Sequence, residues 1–148
     1  MDYADFVRCA SGVRSGLRAV TDAVDGLLPK ALTELVKLRV SQLNGCAFCL
    51  QFHLDLARHA GVSQAQLDLL PAWREARLFS DRERAALAWA EALTQPLDHE
   101  SLASSRAALQ QHFNPEEVAM LTSAVGVIHA WNRIAVGLGF TPQIKDRA

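Results

Sequence analysis

Cys46, Cys49 and His53 are the residues of this sequence whose types and spacing can do chemistry: a C-x-x-C pair with an imidazole four residues beyond the second thiol. Cα atoms three apart on an α-helix lie roughly 5 Å from each other, inside the span a disulfide bridges. Such a pair can open and close without unfolding anything. Residues 46, 49 and 53 share one helical face with Leu50, Ala57 and Ala60, and the opposite face carries Gln51, Asp55 and Arg58. The thiols and the imidazole therefore point toward whatever packs against this helix. Cys46, close to the helix N-terminus, meets the positive end of the macrodipole, which favours a thiolate. A deprotonated thiol with a second thiol in reach is the apparatus of thiol–disulfide exchange or peroxide reduction.

Two elements must position these groups. Pro29 fits the first turn of a helix running to about Leu43, with Leu32, Leu35, Val36 and Leu43 as its apolar stripe. Asn44-Gly45 then reads as a tight turn, and a second helix starts at Cys46 and ends at the left-handed cap Gly61. Helices joined by so short a turn lie antiparallel, which brings Glu34 level with His53 to within a turn. A carboxylate beside an imidazole orients the ring and raises its basicity, and the ring meets Cys49 at i, i+4. A proton could then pass from thiol to imidazole to carboxylate. Each residue also has a duller reading. On periodicity alone Glu34 shares a polar stripe with Lys30, Lys37 and Ser41, which suits a solvated ion-pair face. His53 alone reads as a hydrogen-bonded core histidine, and the cysteines as two small hydrophobes. Zinc is the sharpest rival, since two thiolates, an imidazole and a carboxylate are acceptable ligands. Against it, C-x-x-C zinc sites usually place a cysteine in a turn, whereas Cys49 lies inside the helix.

The rest of the chain reads as helix. With 148 residues it is long enough for one domain with a real core, and residues 1–148 are taken as that domain. Half the residues are apolar and only five are proline, a composition suited to an all-α fold. Residues 1–27 predict one or two short helices before a turn at Asp25-Gly26, with Cys9 a buried, inert thiol. Ser63 with Gln66 and Ser80 with Glu83 form capping boxes, opening helices to about Leu70 and Ala92. Asp98 starts another to about Phe113, and Asn114-Pro115-Glu116-Glu117 opens a long last helix to roughly Gly137. In that helix Gly126 suits close backbone approach, His129 reads as a buried histidine, and Trp131, Asn132 and Arg133 face either the hairpin or a subunit contact. A formal net charge of −1 gives no footprint for nucleic acid or an anionic membrane. The opening MDYADFVRCASGVR lacks the apolar core of a signal segment, and Val118–Ala130 is too short to span a bilayer. The expectation is a cytoplasmic protein whose three cysteines serve catalysis or metal binding rather than a disulfide framework.

The spacing of Glu34, Cys46, Cys49 and His53, E-x11-C-x2-C-x3-H, resembles the core motif of the carboxymuconolactone decarboxylase/alkylhydroperoxidase D superfamily. The resemblance runs from about Leu28 to Gly61 and resumes in ERAALAWAEALT (Glu83–Thr94) and HAWNRIAV (His129–Val136). It is similar to the branch of small, single-domain alkylhydroperoxidase-like proteins, and it outweighs the bland readings of Glu34 and His53.

The resemblance implies an all-helical, AhpD-like fold that assembles as a homotrimer or hexamer. It implies a peroxidase that reduces hydroperoxides to alcohols and water with no bound cofactor or metal. By this analogy Cys49 attacks the peroxide and becomes a sulfenic acid, and Cys46 resolves it to a Cys46–Cys49 disulfide. His53 and Glu34 relay protons, and an external dithiol, lipoylated in the best-known members, restores the thiols. One position departs: alkylhydroperoxidase D proper has a histidine just before the second cysteine, where this chain has Phe48. That leaves the relay one member short, and His129 is the candidate replacement. Decarboxylase members generally lack the cysteine pair, so its presence argues against lactone decarboxylation. The alternatives are a decarboxylase-type enzyme, a general disulfide reductase, and a metal-binding or structural homo-oligomer.

Overall fold

A computed structural model of the chain describes residues 1–142 and 144. Among these there is no strand, and the expected all-α fold is formed. In chain order the helices are α1 (Tyr3–Cys9), α2 (Ser11–Asp25), α3 (Lys30–Leu43), α4 (Ala47–His59), α5 (Gln64–Leu69), α6 (Asp81–Thr94), α7 (His99–Leu109) and α8 (Pro115–Leu138), with a 3₁₀ turn at Leu70–Ala72.

Local chemistry sets most of these boundaries. Ser63, Ser80 and Asn114 each accept the N–H of the residue three ahead, whose own side chain returns the bond, closing capping boxes as Asp2 and Asp5 do at α1. Pro115 follows Asn114 at the first helical position of α8, where its missing N–H leaves no bond unmade. Gly45, Gly61 and Gly139 stand at φ +65°, +86° and +71°, turning the chain out of α3, α4 and α8. α7 stops at Leu109, earlier than the sequence suggests. Phe113 is buried beyond the end of α7, and Asn114 must be extended to cap α8.

α3 is the centre of the molecule and packs against α4, α6 and α8. One hydrophobic cluster takes Leu32, Val36 and Val40 from it, together with Cys46, Cys49, Trp89, Leu121 and Ile128. A second takes Leu35 and Leu38 with Ala57, Leu67, Leu70, Trp73 and Leu87. With apolar neighbours on two sides, α3 is buried without a break from Leu32 to Leu38, and again at Val40 and Ser41. The solvated polar stripe suggested by periodicity is therefore not formed. Glu34 and Lys37 are inside, and Lys30 is half-buried at the start of the helix.

One smaller expectation also fails. Cys9 is exposed rather than buried, because α1 sinks only Phe6 and Cys9 ends the helix beyond the edge of the core. Within the chain no backbone approaches Gly126: nothing lies within 4 Å of the position its Cβ would take. Its face of α8 is open within the chain.

Candidate active site

The site grows out of the turn between α3 and α4. Gly45 reverses the chain, and Cys46 follows in an extended conformation as the N-cap of α4, its sulfur accepting the Cys49 N–H at 3.3 Å. This capping bond places a side chain usually supplied by Ser or Asp, so the thiol helps to start the helix as well as to face its partner. The two sulfurs are 2.6 Å apart, both cysteines are free, and only 1% and 4% of the residues is exposed. An S–S bond of about 2.05 Å is within reach without shifting either helix.

On the same face of α4, one turn beyond Cys49, His53 meets Glu34 from α3. Its Nδ1 is 2.6 Å from Glu34 Oε2. A carboxylate can only accept, so Nδ1 carries a proton toward Glu34 and Nε2 is the ring nitrogen left to act as a base. The other carboxylate oxygen, Oε1, receives Lys30 Nζ at 3.0 Å and Lys37 Nζ at 3.1 Å. Asp25, at the end of α2, lies 2.6 Å from Lys30 and 3.7 Å from Lys37. Lys37 is 2% exposed and Glu34 not at all, a depth at which either charge needs its partner. Burial by itself would push the Glu34 carboxyl up. The His53 bond and the two ammonium groups outweigh it and hold the group down at about 2, so Glu34 is a carboxylate at any working pH. Burial likewise opposes the charge on Lys30, but its bonds to Asp25 and Glu34 raise its pKa.

The thiol side is different in character. Burial pushes Cys49 up to about 12 and its contact with Cys46 adds to this, so at neutral pH it rests as a thiol. A base must take its proton when it reacts. Phe48, where the resemblance led to a relay histidine, instead joins an aromatic group drawn from both ends of the chain. Its ring centroid is 5.4 Å from Tyr3 and 5.3 Å from Phe140, and Phe6 packs on Trp131 at 5.9 Å. These rings belong to, or pack against, the hydrophobic cluster that also holds both thiols.

A second polar arm reaches the hairpin from α8. Asn132, fully buried, donates from Nδ2 to Ser41 Oγ at 3.0 Å. Asn44 donates to Asn132 Oδ1 at 3.0 Å and pairs with His129 Nδ1 at 3.2 Å. His129 Nε2 lies 3.1 Å from Thr94 Oγ1 on α6. Of the WNR segment, then, Asn132 reaches the hairpin, Trp131 packs against Phe6, and Arg133 is exposed. Sequence reasoning missed Lys37 as a buried partner of Glu34 and the aromatic cover. The spacing Lys30–Glu34–Lys37 was the available signal for the first. Nothing local signals the second.

The structure thus pairs Cys46 with Cys49 and Glu34 with His53, and Cys49 and His53 stand one turn apart on α4. Among the described residues no three His, Cys, Asp or Glu side chains converge on a point that could hold a metal ion. Nor is any helix among them long and apolar enough to cross a membrane.

Comparison with known proteins agrees with this architecture. The model of the carboxymuconolactone decarboxylase family matches residues 12–92. The uncharacterized protein YdfG of Bacillus subtilis is 35% identical over 106 residues, which make up 72% of this chain and 72% of that protein. A solved structure from Agrobacterium tumefaciens, ATU0492, is a protein of unknown function with a suggested assignment as the antioxidant defence protein AhpD. It superposes with a TM-score of 0.87 at 33% identity, over 95% of this chain and 97% of that one. The debrominase Bmp8 bound to 2,3,4-tribromopyrrole shares the fold at a TM-score of 0.79 and 17% identity, over 95% of this chain and 74% of its own.

Proposed function

The chain belongs to the carboxymuconolactone decarboxylase family, and we propose that within it this protein is a thiol-dependent hydroperoxide reductase. The observation that carries the reading is the pair of free sulfurs 2.6 Å apart, one turn from an imidazole bonded to a buried carboxylate. The likeness to ATU0492, with its suggested role in antioxidant defence, supports it.

In this mechanism His53 Nε2 takes the Cys49 proton as the peroxide arrives. The thiolate attacks one peroxide oxygen, an S–O bond forms and the O–O bond breaks. The sulfur is oxidised to a sulfenic acid, and the alkoxide leaves as alcohol with the proton from His53. Glu34 holds Nδ1–H throughout and stabilises the transient imidazolium. The Cys46 thiol, giving up its own proton, then attacks Cys49 sulfur; the S–S bond forms and hydroxide leaves as water. An external dithiol, by the family resemblance a lipoylated protein, reduces the disulfide and becomes oxidised in turn. The partners are thus a hydroperoxide, a dithiol donor and further copies of this chain in a trimer or hexamer.

The test is a titration with hydroperoxide followed by intact mass. Wild type is expected to lose two hydrogens at one equivalent, and Cys46→Ser to gain one oxygen, localised to Cys49. Consumption of Cys49 no faster than that of the exposed Cys9 would overturn the reading.

A further inference from the structure

We propose that Lys37 is a positioning residue for His53: seated on the far oxygen of Glu34, its charge keeps the carboxylate from locking the ring as an imidazolium and so leaves Nε2 open to take a proton. The argument is a count of buried charges. Glu34 Oε2 faces His53 Nδ1 at 2.6 Å, while Oε1 receives Lys30 Nζ at 3.0 Å and Lys37 Nζ at 3.1 Å. Asp25 closes the group, 2.6 Å from Lys30 and 3.7 Å from Lys37. Two carboxylates and two ammonium groups sum to zero. The cluster is therefore balanced while His53 is neutral, and carries an excess positive charge once Nε2 is protonated. Without Lys37 the sum around a neutral ring is negative, and the imidazolium becomes the balanced form.

Lys37 outweighs Lys30 in this balance because of where it lies. The Lys30 side chain is 38% exposed and screened by water, whereas Lys37 is 2% exposed and its field is not. Orientation and charge are also separable here. With Lys37 gone, Lys30 still anchors Oε1 and Oε2 still faces the ring, so the bond that aims His53 survives. Stability alone does not account for a lysine at this depth. Apolar clusters flank α3 on both sides, and a buried ion pair can often be exchanged for apolar side chains of similar volume with little loss of stability.

Charged groups on the surrounding elements are engaged elsewhere. On α4 Asp55 pairs with Arg58, and the His59 ring bonds the Asp55 carbonyl. On α6 Glu91 holds Arg39 of α3 and Arg74, and Arg82 pairs with Glu117 of α8. His129 on α8 meets Asn44 and Thr94, Arg133 is exposed, and Asp22 on α2 pairs with Arg18. Beside His53 on its own face stand Cys49 and Cys46. The role serves catalysis only if His53 is the base for Cys49, as proposed above, but the charge balance is tested without any peroxide.

The experiment follows the His53 ring by NMR through a pH series in the reduced protein, with His53→Gln identifying its signal. In Lys37→Met the midpoint of ring protonation should lie above that of wild type. At a pH below both midpoints the neutral fraction should fall about tenfold for each unit of displacement. Asp25→Asn takes a negative charge out of the same cluster and should move the midpoint the other way. A merely structural role produces no such opposition, since loosened packing admits water to the ring in both variants and moves them together. A midpoint unchanged or lowered in Lys37→Met overturns the proposal, and so does a shift of one sign in both variants. Should Lys37→Met not fold, Lys30→Met at the half-buried start of α3 takes its place under the same criterion. Midpoints displaced in opposite directions in a protein whose Cys49 is inert to hydroperoxide would keep the charge balance and sink the reductase reading instead.

Discussion

Glu34 divides its two oxygens between different tasks: Oε2 orients His53, while Oε1 holds Lys30 and Lys37. Removing the charge therefore injures the fold as well as the site. Glu34→Gln leaves Lys37 buried with only Asp25, 3.7 Å away, and should cost on the order of 3 kcal/mol in denaturant unfolding. Lys37→Met should cost less, about 1 kcal/mol, because Glu34 keeps Lys30 and His53 and the methionine fills the space. The pH dependence has a fixed sign. The Glu34 carboxyl is held at about 2, below its ordinary 4.5, so its stabilisation is complete above pH 4.5 and is lost as pH falls toward 2. Unfolding free energies measured across that window should fall more steeply in wild type than in Glu34→Gln. At this scale the sequence was legible for Glu34, Cys46, Cys49 and His53 as a group, because their spacing translates into one hairpin. It was misleading for Lys37, since a stripe of charges reads as a solvated face until both flanks of the helix are seen to be covered.

The elements follow from short-range chemistry, and that part could be read closely. The capping boxes at Ser63, Ser80 and Asn114 and the glycine after α4 set boundaries through contacts spanning three or four residues. Where a boundary depends on a distant packing partner, the sequence falls short: α2 is a full 15-residue helix laid against α8 rather than a short one. The Asn44–Asn132 bond joins residues 88 apart, and no local pattern announces it. The element on which the site depends most is the α3–α4 turn, where Gly45 adopts φ +65° with open space around its missing Cβ. Gly45→Ala meets no clash, so its cost is conformational alone, roughly 1–2 kcal/mol. Thermal melting should register it as a fall of about 2–4 °C per kcal/mol. A larger fall would mean that the turn is held by something other than its backbone preference.

At the scale of the molecule, the core on either side of α3 leaves one helix face uncovered. α2 carries Val13, Leu17, Val20 and Val24 at helical spacing, yet only Val24 is buried. Val13 is 52% exposed and Val20 39%, and Val136 on α8, the helix α2 packs against, is 53% exposed. An amphipathic helix with most of its apolar stripe in water has no reason to keep that pattern in a monomer. The homo-oligomer proposed above gives it one, because a closed ring of copies would bury the stripe on every subunit. Light scattering on the eluting protein should give a threefold or sixfold multiple of 16.2 kDa. The double variant Val13→Asp, Val20→Asp places two charges on the stripe without touching the hairpin, and should elute at the monomer mass with its helical signal retained. A wild type already at the monomer mass would refute the assembly. A double variant that keeps the multiple would move the interface off α2. Because Cys46, Cys49 and His53 are buried within one subunit, the monomeric variant should still lose two hydrogens to one equivalent of hydroperoxide. Loss of that reaction on dissociation would instead mean that a neighbouring copy completes the site.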